Sequence, residues 1–153
     1  MTLANRIPLF SPLLVGFAAT LSSILIHGLI VGTIITIVRR DLSRGLVGPR
    51  FSVNLMLVTG ATLFALAGHL VEIAVWATVF ITCGEFSHFS DAFYHSAVNY
   101  SSLGYGDLIM SARWRLLGPL EALDGMLMLG VSTAVIFAVI QRLVQARFGL
   151  SER

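Results

Sequence analysis

With 56% hydrophobic and only 12% charged residues among its 153, the chain belongs to the membrane class. Its net charge of +2 comes from arginine alone, since there is no lysine, and no basic patch with interleaved aromatics marks a nucleic-acid surface. The single cysteine, Cys83, excludes an intrachain disulfide and a thiolate-built metal site, and reads as an apolar core residue.

The N-terminus does not read as a cleaved signal: Arg6 is a lone positive charge, and the apolar run after it is too long and lacks a small-residue cleavage pattern. Residues 12–38 are 27 consecutive positions without a charge, enough to cross a bilayer, and form the first predicted span. Within it Gly28 and Gly32 make a small-xxx-small pair suited to close helix approach, and His27 reads as an interhelical hydrogen-bond donor. No arginine ladder is present, so this span is not a voltage sensor of the usual kind. Residues 39–50 form a linker with four arginines, Arg39, Arg40, Arg44 and Arg50, which the positive-inside tendency places in the cytoplasm. The same charges also suit an anionic-lipid or regulatory site.

The second predicted span, 51–83, carries His69 and Glu72 on one helical face. Ionisable groups at membrane depth are expensive and must face protein or water. The expectation is a structural pair bonded to the next helix or to Arg113 or Arg115; the alternative is a proton-sensitive brace. Glu85, His88 and Asp91 then give the connection a modestly acidic face that could concentrate cations. Residues 90–101 predict a short helix, with Ser90 or Asp91 as N-cap and Phe93, Tyr94, Ala97, Val98 and Tyr100 as its apolar side. Past it, Trp114 between Arg113 and Arg115 suits an interfacial anchor. The third span is predicted over 119–146, with Pro119 in its first turn. Glu121 and Asp124 read as helix-end acids or as partners of a nearby arginine. Gly130 is the candidate hinge and Gly125 the reserve, tight packing being the alternative for both. With the N-terminus outside, seven arginines face the cytoplasm and three the exterior.

Between the short helix and the third span lies Ser101-Ser102-Leu103-Gly104-Tyr105-Gly106-Asp107. Two glycines flanking a tyrosine let the backbone alternate between right-handed and left-handed dihedrals, so that successive carbonyls point to one side. Several such strands around an axis would stack rings of oxygens able to replace the water shell of a monovalent cation. Irregular backbone at membrane depth is tolerated only where it is buried in protein or lines a water-filled path, which a re-entrant loop satisfies and an ordinary one does not.

Residues 102–107 resemble the signature sequence of potassium channels, with Ser102 where the family usually has Thr and Leu103 where it usually has Val. The resemblance covers roughly residues 51–147 and implies an all-α membrane protein, with three transmembrane helices per subunit plus a re-entrant pore helix and selectivity filter, assembled as a homotetramer. Its implied parts are an extra N-terminal helix and linker (1–50) and a pore domain (51–153) of outer helix 51–83, pore helix 90–101, filter 102–107 and inner helix 119–146. The implied activity is passive K+ conduction without enzyme chemistry, with K+ as permeant ion and no cofactor. The implied partners are other copies of the chain and the lipid bilayer of the plasma membrane (the inner membrane of a bacterium), with no nucleic acid. The carbonyls of Ser102, Leu103, Gly104 and Tyr105 and the Ser102 hydroxyl would hold K+; Gly106 would complete the filter and, with Asp107, shape the outer mouth. Ser132 and Thr133 would line an inner cavity. Tyr94, His95 and Val98 would support the filter, His95 standing where Trp is frequent and bonding Tyr105, and Val98 standing where some relatives have a Glu that pairs with the filter aspartate. Asp107 must then pair elsewhere, with Tyr94 or Trp114. A weakly selective monovalent cation channel and a non-conducting accessory subunit are the alternatives; an intramembrane enzyme built on His69, Glu72 and a serine lacks a nucleophile motif.

Overall fold

In hydrocarbon every backbone N–H and C=O must be paired within its own segment, so long charge-free runs fold as helices. The computed structural model describes residues 9–44 and 51–148. Among these it contains α1 (Phe10–Ser43), α2 (Phe51–Thr82), α3 (Phe89–Tyr100) and α4 (Leu117–Phe148), and no strand. Three of the four are long and apolar enough to cross a membrane. At 34, 32 and 32 residues their lengths approach 50 Å, so their ends extend beyond a hydrocarbon core of about 30 Å. Arg6, Arg153 and the linker stretch 45–50 with Arg50 lie outside the described residues.

The long helices alternate in direction. Arg147 near the end of α4 lies 5.7 Å over the Phe51 ring that begins α2, and Arg39 of α1 shares a groove with Arg142 of α4. Five arginines, Arg39, Arg40, Arg44, Arg142 and Arg147, therefore sit at one end of the bundle. α1 packs on α2 and α4, and α3 fits between α2 and α4. Two apolar clusters hold the bundle: one around Trp76, Phe80, Tyr100 and Leu117, which Cys83 flanks half-buried, and one around Ile34, Ala65, Val139 and Leu143. Most other large apolar side chains, such as Phe17, Leu29, Leu66 and Phe137, point outward, as a lipid-facing surface requires.

Several elements differ from expectation. A Cβ added at Gly28 or Gly32 would meet no side chain or other helix among the described residues within 4 Å; close approach occurs instead at Gly16 against Leu120 and at Gly68 against Ile30. α3 starts at Phe89 with His88 as its N-cap and no side-chain cap, while the Ser90 hydroxyl bonds Asp91. Asp91 falls in the first turn, where its charge faces the helix dipole favourably. α4 begins two residues earlier than expected, which still leaves Pro119 in the first turn.

Candidate functional site

α3 begins beside the end of α2 and runs back toward the middle of the bundle. The Tyr100 hydroxyl donates to Glu72 Oε2 and lies 2.9 Å from His69 Nδ1. Glu72 is ten residues before the end of α2, so the tip of α3 reaches about 15 Å inward. The chain then returns to the end it came from. Tyr94 donates to Asp107 Oδ2 at 2.7 Å, and Ser111 donates twice to Glu85, from its backbone N and its hydroxyl, each at 2.6 Å.

The turn at the inner tip is built on α3 carbonyls. Ser102 N bonds Asn99 O at 2.8 Å, and Val98 O accepts from Leu103 N at 3.0 Å and Gly104 N at 3.3 Å. From there φ is positive at Ser102 (60°), Gly104 (59°) and Gly106 (73°), and at neither Leu103 nor Tyr105. Left-handed geometry at alternate residues reverses each peptide plane relative to the steric default, so neighbouring carbonyls can share one side. At Ser102, which carries a Cβ, this conformation costs about 1–2 kcal/mol. All of residues 101–107 are exposed in the single chain, with Leu103 at 60% and Tyr105 at 67%.

Tyr94, His95 and Val98 lie on the stretch of α3 against which 102–107 returns. Of the two partners considered for Asp107, the structure has Tyr94; the Trp114 ring instead lies 5.3 Å beneath the Arg113 guanidinium. The Tyr94 hydrogen bond holds the Asp107 carboxyl below its usual range, and the same bond pushes the Tyr94 phenol up. His95 does not bond Tyr105 within the chain. Its ring packs edge-on against Phe80 at 5.4 Å and beside Phe86 at 5.0 Å, with Nε2 2.9 Å from Asn99 Nδ2. Burial there lowers its pKa, against a raising hydrogen bond to the Leu108 backbone. Val98 contributes through its carbonyl, its side chain being buried.

His69 and Glu72 do face protein, but not Arg113 or Arg115. Glu72 Oε1 meets His27 Nδ1 of α1 at 3.0 Å, and His69 Nε2 meets Ser132 Oγ of α4 at 3.0 Å. Ser132 is consequently buried and not placed to line a cavity, whereas Thr133 is exposed and bonds Leu129 O of its own helix. Glu121 and Asp124 are likewise buried rather than helix-end acids paired with arginine: Ser96 donates to Glu121 Oε1, and Trp76 Nε1 to Asp124 Oδ2 at 2.8 Å. Gly125 packs directly on the Tyr100 backbone, while a Cβ added at Gly130 would meet no side chain or other helix among the described residues within 4 Å. The sequence reading missed the roles of Trp76, Ser96, Asn99 and Ser132 and gave His27 no named partner. Their signal was the rarity of polar groups in such segments.

Residues 68–142 match a family model described as an ion channel. The matched span runs from the middle of α2 through α3 and 102–107 to Arg142 of α4, leaving α1 outside it. No curated protein and no solved structure matches the chain.

Proposed function

We propose, from the premise that residues 68–142 belong to a pore-domain ion-channel family, that the chain is one quarter of a potassium channel. Three apolar helices together with that domain make it a multi-pass membrane protein, and the family is one of channels, not of enzymes. The observation that carries the K+ reading is the alternation of positive φ at Ser102, Gly104 and Gly106 in a segment returning from the middle of the bundle. Four copies around an axis turn the carbonyls of Ser102, Leu103, Gly104 and Tyr105, with the Ser102 hydroxyl, into stacked rings. Each ring replaces the hydration shell of K+, and repulsion between ions in adjacent rings restores fast exit. The exposed side chains of Leu103 and Tyr105 and the exposed α4 residues Met126 and Phe137 support the assembly, since neighbouring copies would cover them. The Tyr94–Asp107 bond clips the outer end of the filter, and the Val98 carbonyl anchors its inner end. The end carrying Arg39, Arg40, Arg44, Arg142 and Arg147 faces the cytoplasm of a plasma membrane, which leaves the N-terminus and the mouth at Asp107 outside.

The test is purified protein in planar bilayers with K+ on one side and Na+ on the other. A selective filter moves the reversal potential by about 59 mV per tenfold change in K+. A reversal potential near zero favours the second reading, a weakly selective monovalent cation pore, which the turning of His95 toward Asn99 and not Tyr105 supports. Absence of any current from protein of tetrameric size identifies an accessory subunit instead.

A further inference from the structure

Between the two apolar clusters, four side chains from α1, α2 and α4 close a ring, with Tyr100 of α3 touching it. Glu72 Oε1 lies 3.0 Å from His27 Nδ1, and Glu72 Oε2 3.2 Å from His69 Nδ1. On the far side Ser132 Oγ lies 3.0 Å from His69 Nε2 and 3.3 Å from His27 Nε2. Tyr100 donates to Glu72 Oε2, and all five residues are buried.

The hydrogens of this ring do not balance. With Glu72 a carboxylate and both imidazoles neutral, hydrogens on the two Nδ1 atoms serve Glu72 and leave both Nε2 atoms as acceptors, while Ser132 has one hydrogen to give. With hydrogens on the two Nε2 atoms, Ser132 Oγ accepts both through its two lone pairs, but both Nδ1 lone pairs then face the carboxylate. A mixed arrangement leaves one such clash. One added positive charge, either a second proton on an imidazole or a metal ion, satisfies every contact, and Nδ1 of His27, Nδ1 of His69 and the Glu72 carboxylate converge where it would sit.

We propose that this point is a binding site for a divalent transition metal of the Zn2+ type, held by Nδ1 of His27, Nδ1 of His69 and the Glu72 carboxylate, with a water completing the tetrahedron and the Tyr100 hydroxyl orienting the carboxylate as its donor. Zn2+ takes N and O ligands at about 2.0–2.1 Å, so the edges of its tetrahedron measure roughly 3.3 Å. His27 Nδ1 lies 3.0 Å from Oε1 and His69 Nδ1 3.2 Å from Oε2 of the one carboxylate, each near the length of such an edge, and one ligand atom from each of the three residues lies within 4.8 Å of the others. Two imidazoles and one carboxylate suit Zn2+ over Ca2+ or Mg2+, which prefer all-oxygen shells. Ser132 accepts both Nε2 hydrogens and so fixes the tautomers that aim Nδ1 inward, the part an outer-shell partner plays in metal sites. The metal would bolt α1, which lies outside the ion-channel match, to the inner tip of α3. This holds whether or not the protein conducts.

The full-length protein, purified without a polyhistidine tag and stripped with chelator, is incubated overnight with Zn2+ or Co2+ and desalted. The expected result is about one Zn2+ retained per chain and a tetrahedral Co2+ absorption spectrum. His27→Gln and Glu72→Gln reduce retention to background, Ser132→Ala weakens it by about 10–100-fold, and His88→Gln at the exposed end leaves it unchanged. Each variant is checked for the wild-type elution volume, and the wild-type Co2+ spectrum stands even where a variant fails to fold. Wild-type protein that retains no metal, or retention equal in His27→Gln and Glu72→Gln, overturns the proposal and assigns the missing cation to a proton shared by the ring.

Discussion

Alanine at two glycines of the same helix separates close packing from open space. A Cβ at Gly125 would stand 2.8 Å from the Tyr100 carbonyl carbon and closer still to its oxygen, where ordinary contact begins at 3.4 Å. α3 and α4 must then part by at least about 0.6 Å, the difference between those distances, because the obstruction is backbone that no rotamer change can clear. Tyr100 cannot recede freely, since its hydroxyl is bonded to Glu72. Overpacking of this kind costs about 1–3 kcal/mol, partly offset by about 1 kcal/mol from the better helix propensity of alanine. A Cβ added at Gly130 would meet no side chain or other helix among the described residues within 4 Å, so only the propensity gain remains. The two variants should therefore differ by about 1–3 kcal/mol, or roughly 3–10 °C in thermal unfolding of the purified protein. Gly125→Ala should also lose cation flux, because the displaced tip of α3 carries the start of 102–107. If Gly125→Ala melts at or above Gly130→Ala and conducts as well, the α3–α4 contact is not as drawn and the placement of the loop falls with it.

Tyr94→Phe removes the bond that holds the Asp107 carboxyl below its ordinary value of 3.8. A depressed carboxyl contributes stability above its unfolded pKa and loses it as pH falls through the folded one, so wild-type current should become less stable on external acidification below about pH 4, while Tyr94→Phe runs down faster at neutral pH and shows no such step. Trp76→Phe strips the 2.8 Å donor from buried Asp124 Oδ2. The expected loss is about 1–3 kcal/mol by thermal unfolding, and adding Asp124→Leu should cost less than the sum of the two single changes, a result that strict additivity would contradict.

The course of the chain was legible in the sequence because its signals are local: charge-free runs for the spans, a short amphipathic stretch, and glycines spaced for alternating dihedrals. The inward faces were not, because in a lipid-facing helix both sides are apolar and hydrophobic periodicity fades. The polar residues themselves carry the missing signal. The buried positions of α1 are Pro12, Gly16, Ala19, Ser23, His27, Ile34 and Val38. Those of α4 include Leu117, Glu121, Asp124, Met128, Ser132, Val139 and Leu143, with the same succession of spacings. Glu121 and Asp124 were read as helix-end acids because Pro119 marks a first turn, yet they fall on the stripe that Ser132 continues. Of the partners of Glu72, His69 follows from the i,i+3 spacing, whereas His27 and Tyr100 lie in other helices and no local pattern announces that they will meet it.

That stripe also explains how a helix as short as α3 is held. Twelve residues are marginal as an isolated helix, and apolar contacts draw little from lipid, which is as apolar as the bundle. Polar bonds do the holding instead. Tyr100 reaches Glu72 of α2; the Ser96 hydroxyl lies 2.9 Å from Ile73 O of α2 and meets Glu121 of α4; and Trp76, bonded to Asp124, joins those two helices beneath them. Each carboxylate would be costly if left alone at this depth, and each has a donor from a different helix. The acids therefore favour one position: a slip of α3 by one residue would take Tyr100 from Glu72 and Ser96 from Glu121 together, leaving Glu72 to His27 and His69. The inner tip of 102–107 is held in depth by these buried polar bonds, while its outer end is tied at the surface by the exposed Tyr94–Asp107 bond and, just beyond it, by the Ser111–Glu85 pair. Loosening of the loop should accordingly begin at Asp107 and not at Ser102.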